Sequence, residues 1–126
     1  MLIEGAYVGP HRHLKPPKSE SFLILEGELA LLAFDDSGGV LTTTVLGRKA
    51  VPGADIAAGI WHTLVVVSPH AVIFEVKPGP YDPISDKDFA AWAPPEGDPG
   101  TAGPCHLRGR GDNRRPPESS RCCLIS

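Results

Sequence analysis

Cysteine is missing from the first 104 residues of this 126-residue chain; Cys105, Cys122 and Cys123 all come later. The body can therefore hold neither a disulfide framework nor a thiolate metal site. Long apolar runs are missing too. No stretch of 18 apolar residues occurs, so no bilayer-spanning helix is encoded. The opening residues Met1-Leu2-Ile3-Glu4-Gly5 have neither the basic nor the apolar region of a secretory signal, and a cytoplasmic protein is the expectation. A positive charge excess is also lacking. Residues 1–100 hold seven Lys/Arg against thirteen Asp/Glu, a net of −6, whereas residues 101–126 hold five against two, or +3. An acidic body argues against nucleic acid as a partner, because phosphate recognition needs a basic face. Helical periodicity is the last absence: no long stretch repeats its apolar residues every three to four positions.

What remains is a succession of short strand candidates. A chain this long is one domain at most and buries roughly two thirds of its unfolded surface. Phe22 to Leu25 and Leu29 to Phe34 flank the tight-turn signal Glu26-Gly27-Glu28. Asp35-Asp36-Ser37-Gly38-Gly39 then predicts a hairpin to Val40–Leu46, which is rich in Val and Thr. Asp55 to Ala58 is a weak strand ended by Gly59, and Ser68-Pro69-His70 separates His62–Val67 from Ala71–Lys77. Strands at this spacing without helices between them predict an all-β barrel or sandwich. From Pro78 the prolines must leave the sheet, since they cannot donate to a ladder. Asp86 to Trp92 is expected to form one or two helical turns, with Phe89 and Trp92 packing onto the barrel. The domain is expected to span residues 1–97. After that the composition shifts to Gly, Pro, Arg and Ser, which predicts a disordered tail over 98–126.

The chemistry is concentrated in His11, His13, Glu20 and His62. On a strand, residues i and i+2 point to one face, so His11 and His13 can aim both imidazoles at one point. A carboxylate and a third imidazole arriving from neighbouring strands would complete a site of three nitrogens and one oxygen. Such a site suits one divalent ion (Fe, Mn, Ni, Co or Zn), with the element left open. Alternation makes the reading consistent with a core. If His62 faces inward so do Leu64 and Val66, and if Glu20 does so do Phe22 and Ile24.

Two motifs carry a family resemblance. Gly9-Pro10-His11-Arg12-His13, Glu20 and Gly27 form the first, and Ala57-Ala58-Gly59-Ile60-Trp61-His62 the second. Together they resemble the cupin superfamily, which implies a double-stranded β-helix with metal ligands at His11, His13, Glu20 and His62. The stretch from Tyr7 to about Asp98, roughly three quarters of the chain, is similar to the WbuC family of cupin-fold metalloproteins. The closer match rests on Leu25-Glu26-Gly27-Glu28-Leu29, Phe74-Glu75-Val76-Lys77-Pro78-Gly79-Pro80-Tyr81-Asp82-Pro83 and Asp86-Lys87-Asp88-Phe89. Six residues lie between His13 and Glu20, more than the general cupin pattern has, and the WbuC group shares that longer spacer. The resemblance implies a role in bacterial surface-polysaccharide sugar pathways, and an additional N-terminal segment in relatives.

The expected function is metal-dependent chemistry on, or recognition of, a small polar molecule such as a sugar or nucleotide-sugar intermediate. Three classes stay open: a metal-dependent isomerase, lyase or oxygenase; a non-catalytic binding or sensing cupin; and a structural metal site. Tyr81 and Glu75 are candidates for an acid or base, and Phe22 and Trp61 for pocket walls or core packing. Arg12 falls on the opposite strand face from its flanking histidines and reads as a surface residue. His70 and His106 read as solvated. A homodimer joined through sheet edges is compatible with the pattern. In the tail, Cys123-Leu124-Ile125-Ser126 has the form of a prenylation box and Arg110-Gly111-Asp112 that of an adhesion tripeptide. Both are read as chance, the first because bacterial proteins lack that processing.

Overall fold

Runs of Val, Leu, Ile and Thr punctuated by Gly, Pro and Asp fold into extended segments. The computed structural model describes residues 1–3, 6 and 8–95. Among these the strands are β1 (Leu2–Ile3), β2 (His11–Arg12), β3 (Glu20–Glu26), β4 (Glu28–Phe34) and β5 (Val40–Gly47). They continue as β6 (Gly53–Ile56), β7 (Trp61–Val66), β8 (His70–Val76) and β9 (Asp88–Phe89). No helix of the described residues is long and apolar enough to cross a membrane. The tail expected over 98–126, with its two motifs and His106, lies outside the described residues.

Two antiparallel sheets result, one in the order β1-β8-β3-β6 and the other β5-β4-β7-β2-β9. The predicted hairpin joins β4 to β5, with register from Glu28↔Gly47 to Phe34↔Val40. Its turn is held by the Asp35 carboxylate, which accepts the amides of Ser37 and Gly39 at 2.8 Å each. The Gly27 signal does something different from a hairpin. β3 and β4 are not paired with each other; the chain passes at Gly27 from the four-stranded to the five-stranded sheet. Gly27 has φ +75°, and a Cβ there would collide with the carbonyl oxygen of His70.

The core between the sheets gathers Ile24, Leu29, Leu46, Val66 and Ala71. Each fully buried leucine in it contributes about 1.5–3 kcal/mol. A second cluster, Ala30, Leu32 and Phe34, lies on the other face of β4 against Val40, Trp61, Val65 and Trp92. The five-stranded sheet is thus covered outside as well as inside, which is why β4 reads as a continuous apolar run instead of alternating.

The helical turns expected over Asp86 to Trp92 do not form. Asp88 and Phe89 instead make β9, which pairs with β2 through His11↔Phe89 and Arg12↔Asp88. The two-residue β2 would otherwise leave an edge open, and the Ala90 amide extends the closure by donating to the Pro10 carbonyl at 2.9 Å. Of the two aromatics, Trp92 packs on Phe34 with ring centroids 5.2 Å apart, while Phe89 stays half-exposed near His11.

Candidate metal centre

The register delivers the histidines. His11 on β2 stands directly opposite His62 on β7, and His62 stands opposite Ala33 on β4, so all three face the barrel interior. Glu20 opens β3 in the other sheet, on the row that continues through buried Phe22 and Ile24. His13 follows β2 in a loop pinned by hydrogen bonds from Lys18 and Gly59 amides to its carbonyl. His11, His13, Glu20 and His62 are all buried, and each offers a ligand atom within 4.8 Å of the others.

The tautomers follow from the partners. His11 Nδ1 lies 2.9 Å from the Gly9 carbonyl, His62 Nδ1 lies 2.9 Å from the Ile60 carbonyl, and His13 Nδ1 meets the Asp86 carbonyl. A carbonyl only accepts, so each Nδ1 carries the proton and each Nε2 is left with a lone pair. Those lone pairs converge. His62 Nε2 is 3.0 Å and His13 Nε2 3.3 Å from the same Glu20 oxygen, Oε2. His13 Nε2 has no hydrogen-bond partner although it is buried. Imidazole lone pairs facing a carboxylate oxygen repel one another unless a cation sits among them. Backbone carbonyls holding the far nitrogens is also the arrangement that orients metal-ligating histidines. The residues therefore fit a divalent ion with three nitrogens and one oxygen.

Electrostatics favour a neutral His11 and a charged Glu20. Burial pushes His11 down to about 4, against a smaller upward pull from its Gly9 hydrogen bond. Burial alone would raise Glu20, but its contact with the His62 side chain, the hydrogen bond shared with Glu75 and the nearby His13 outweigh it and hold the carboxyl well below the usual range. Glu75, opposite Phe22 across the β3–β8 ladder, shares a hydrogen bond with Glu20 and is pushed up to about 7 by that bond and by burial. The His11 shift has a sign. Its folded value lies below the ordinary 6.5, so the unfolded chain binds the extra proton; the contribution is complete above pH 6.5 and lost as pH falls towards 4. We expect metal-free protein to lose about 2–3 kcal/mol across that window from this group, as urea unfolding at stepped pH will show. A flat profile between pH 7 and 4.5 would contradict it.

Behind the candidate ligands lies an ion cluster that the sequence did not announce. Asp86, 5% exposed, receives Lys18 Nζ on Oδ1 at 3.0 Å and Lys77 Nζ on Oδ2 at 2.8 Å. Lys18 also donates to the Pro80 carbonyl at 2.5 Å. Lys77 Nζ reaches Glu20 Oε1 and Glu75 Oε1, both at 3.6 Å. Burial would raise Asp86, but the two lysine hydrogen bonds outweigh it and keep its carboxyl low. Lys77 is shifted upward: burial opposes this, but the Asp86 hydrogen bond and the surrounding carboxylates prevail. No spacing rule ties Lys18, Lys77 and Asp86 together. The nearest signal was the Asp86-Lys87-Asp88-Phe89 stretch within the resemblance.

The other candidates are placed apart. Phe22 is buried on the Glu20 row. Trp61 packs in the outer cluster, donates its indole N–H to Asp36 at 3.0 Å, and carries the Arg12 guanidinium 4.2 Å above its ring. Arg12 is paired on that face with Asp36 and Asp88, away from the histidines as its alternation predicts. Tyr81 is 73% exposed. His70 is exposed and bonded to Glu26 at 2.7 Å. Leu31, Ala33 and Leu64 share the face of His62 and are half-buried, so that row stays in contact with solvent.

Comparison with known proteins adds the fold. A family model described as a domain of unknown function (DUF6016) matches residues 1–46, a span that contains His11, His13 and Glu20. No curated protein matches the chain. Among solved structures, NovW, a 4-keto-6-deoxy sugar epimerase from the novobiocin gene cluster of Streptomyces spheroides, is similar with a TM-score of 0.57 and 20% identity over 70% of this chain and 47% of its own. ChmJ, a 3'-monoepimerase from Streptomyces bikiniensis solved with dTDP-quinovose, is similar with a TM-score of 0.59 and 14% identity over 69% of this chain and 46% of its own. The chain spans less than half the length of either epimerase. Its architecture is the cupin-like double-stranded β-helix they share.

Proposed function

We propose that this chain is a metal-binding cupin of the WbuC type that acts on or recognises a small polar molecule, a sugar or nucleotide-sugar intermediate of bacterial surface-polysaccharide biosynthesis. The observation that carries the metal reading is that three buried histidines and Glu20 bring ligand atoms within 4.8 Å of one another, two of the Nε2 atoms at 3.0 and 3.3 Å from one glutamate oxygen, with every Nδ1 held by a backbone carbonyl. The sugar reading is supported by fold neighbours that are sugar epimerases, one of them solved with a nucleotide sugar, and by the family resemblance. His11, His13, Glu20 and His62 would hold the ion. When bound, it supplies a Lewis acid for an oxygen ligand or a water of lowered pKa. The chain's own groups do the rest. Glu75, pushed up to about 7, can hold or give a proton beside the ligands. Leu31, Ala33 and Leu64 give the approach an apolar wall. Tyr81, on the exposed loop after β8, is the second proton donor to test.

The test is metal content by mass spectrometry on untagged protein, followed by thermal shift with nucleotide sugars. About one divalent metal per chain, and a melting rise with a nucleotide sugar on the loaded protein only, is the expected result. Absence of metal even after reconstitution would remove the metalloprotein reading. Loaded protein indifferent to every sugar would remove the sugar.

A further inference from the structure

A carboxylate can give a metal one oxygen or two, and the choice sets how many positions stay open for a ligand. In this site the two oxygens of Glu20 are treated differently. Oε2 faces the histidines, 3.0 Å from His62 Nε2 and 3.3 Å from His13 Nε2. Oε1 faces Lys77 Nζ at 3.6 Å. That ammonium is not free to move off. Asp86 Oδ2 grips it at 2.8 Å, and the other Asp86 oxygen is gripped by buried Lys18, so the cation is anchored from behind by a fixed pair. Glu75 flanks Lys77 at 3.6 Å on Oε1.

The geometry points to Lys77 as a positioning residue that keeps Glu20 a one-oxygen donor. This rests on the metal reading above. With three imidazoles and one oxygen on a six-coordinate ion, two positions remain; a second Glu20 oxygen would take one of them. Two open positions suit a ligand offering two neighbouring oxygens, a vicinal diol or a hydroxyketone. Lys77 touches neither the ligand nor the ion in this role; it acts through Glu20.

The test loads Mn(II) into the wild-type chain and into Lys77→Met, which retains the apolar stem and removes the charge. Exchangeable waters are counted by proton relaxation and affinity is measured by competition. Wild type is expected to keep two waters. Lys77→Met should keep one and bind Mn(II) about tenfold tighter, since a cation near the ion is gone and an oxygen is gained. Lys77→Arg should behave as wild type. A loaded Lys77→Met with both waters and unchanged affinity overturns the role of Lys77 and leaves the metal reading standing. A wild-type chain that takes no Mn(II) overturns both. Infrared difference spectra of the wild type give a reading that does not depend on the variant folding. A wide separation of the carboxylate stretches on loading is expected, and the narrow separation of two-oxygen binding would overturn the assignment.

Discussion

His62→Ala is expected to weaken metal binding more than about a hundredfold, beyond what loss of a supporting contact alone does. His62 is 2% exposed, stands opposite His11 in the ladder, and brings Nε2 to 3.0 Å from Glu20 Oε2. Alanine removes one of the three nitrogens and opens a void where the imidazole was. Competition against a chelating dye measures the change, and circular dichroism checks that the β signal persists. His70→Ala is the matched control, because His70 is exposed and bonds only outside the cluster, to Glu26. Equal weakening in both variants, or in neither, would show that the buried four do not bind as a set.

The second large effect concerns stability. Asp86→Ala should cost about 3–5 kcal/mol, because it strands the charge of Lys18, itself 5% exposed, in the protein interior. In a domain of this size that lowers the melting temperature by about 10–20 °C. Loss of the carboxylate also leaves Lys77 only its 3.6 Å contacts with Glu20 and Glu75, while the Asp86 carbonyl that holds His13 belongs to the backbone and survives the change. Adding Lys18→Met to Asp86→Ala should recover part of the loss, since the orphaned charge disappears with its stem kept. A single variant melting within 2 °C of wild type, or a double variant no better than the single, would mean the cluster is solvated and the argument fails.

That His11, His13, Glu20 and His62 come together was legible because their placement depends on strand alternation and motif spacing alone. His11 and His13 two apart, and His62 heading an apolar strand, leave little freedom once an all-β fold is assumed. The hairpin at Asp35–Gly39 was legible for a similar reason, since its turn chemistry is local. Gly27 shows where local signals stop. The same glycine at positive φ serves a hairpin or a passage between sheets, and only the partners of β3 and β4 decide between them. Asp86 to Trp92 was misread as helical turns because an i, i+3 aromatic pair fits one turn, whereas the open edge of β2, far away in sequence, claimed the segment as a strand. Lys18 and Lys77 gave no sign of their partner: a lysine's burial is set by tertiary packing, and 68 and 9 residues separate them from Asp86.

The four candidate ligands also join the two sheets. His11 and His62 belong to the five-stranded sheet and Glu20 to the four-stranded one, with Glu20 and His62 separated by 42 residues. An ion among them would fasten distant parts of a backbone whose body has no cysteine to do so. Closing a loop of that length restricts the denatured ensemble by about 4 kcal/mol in the chain-entropy account. The histidines would then serve the domain as a reversible, pH-sensitive substitute for a covalent cross-link.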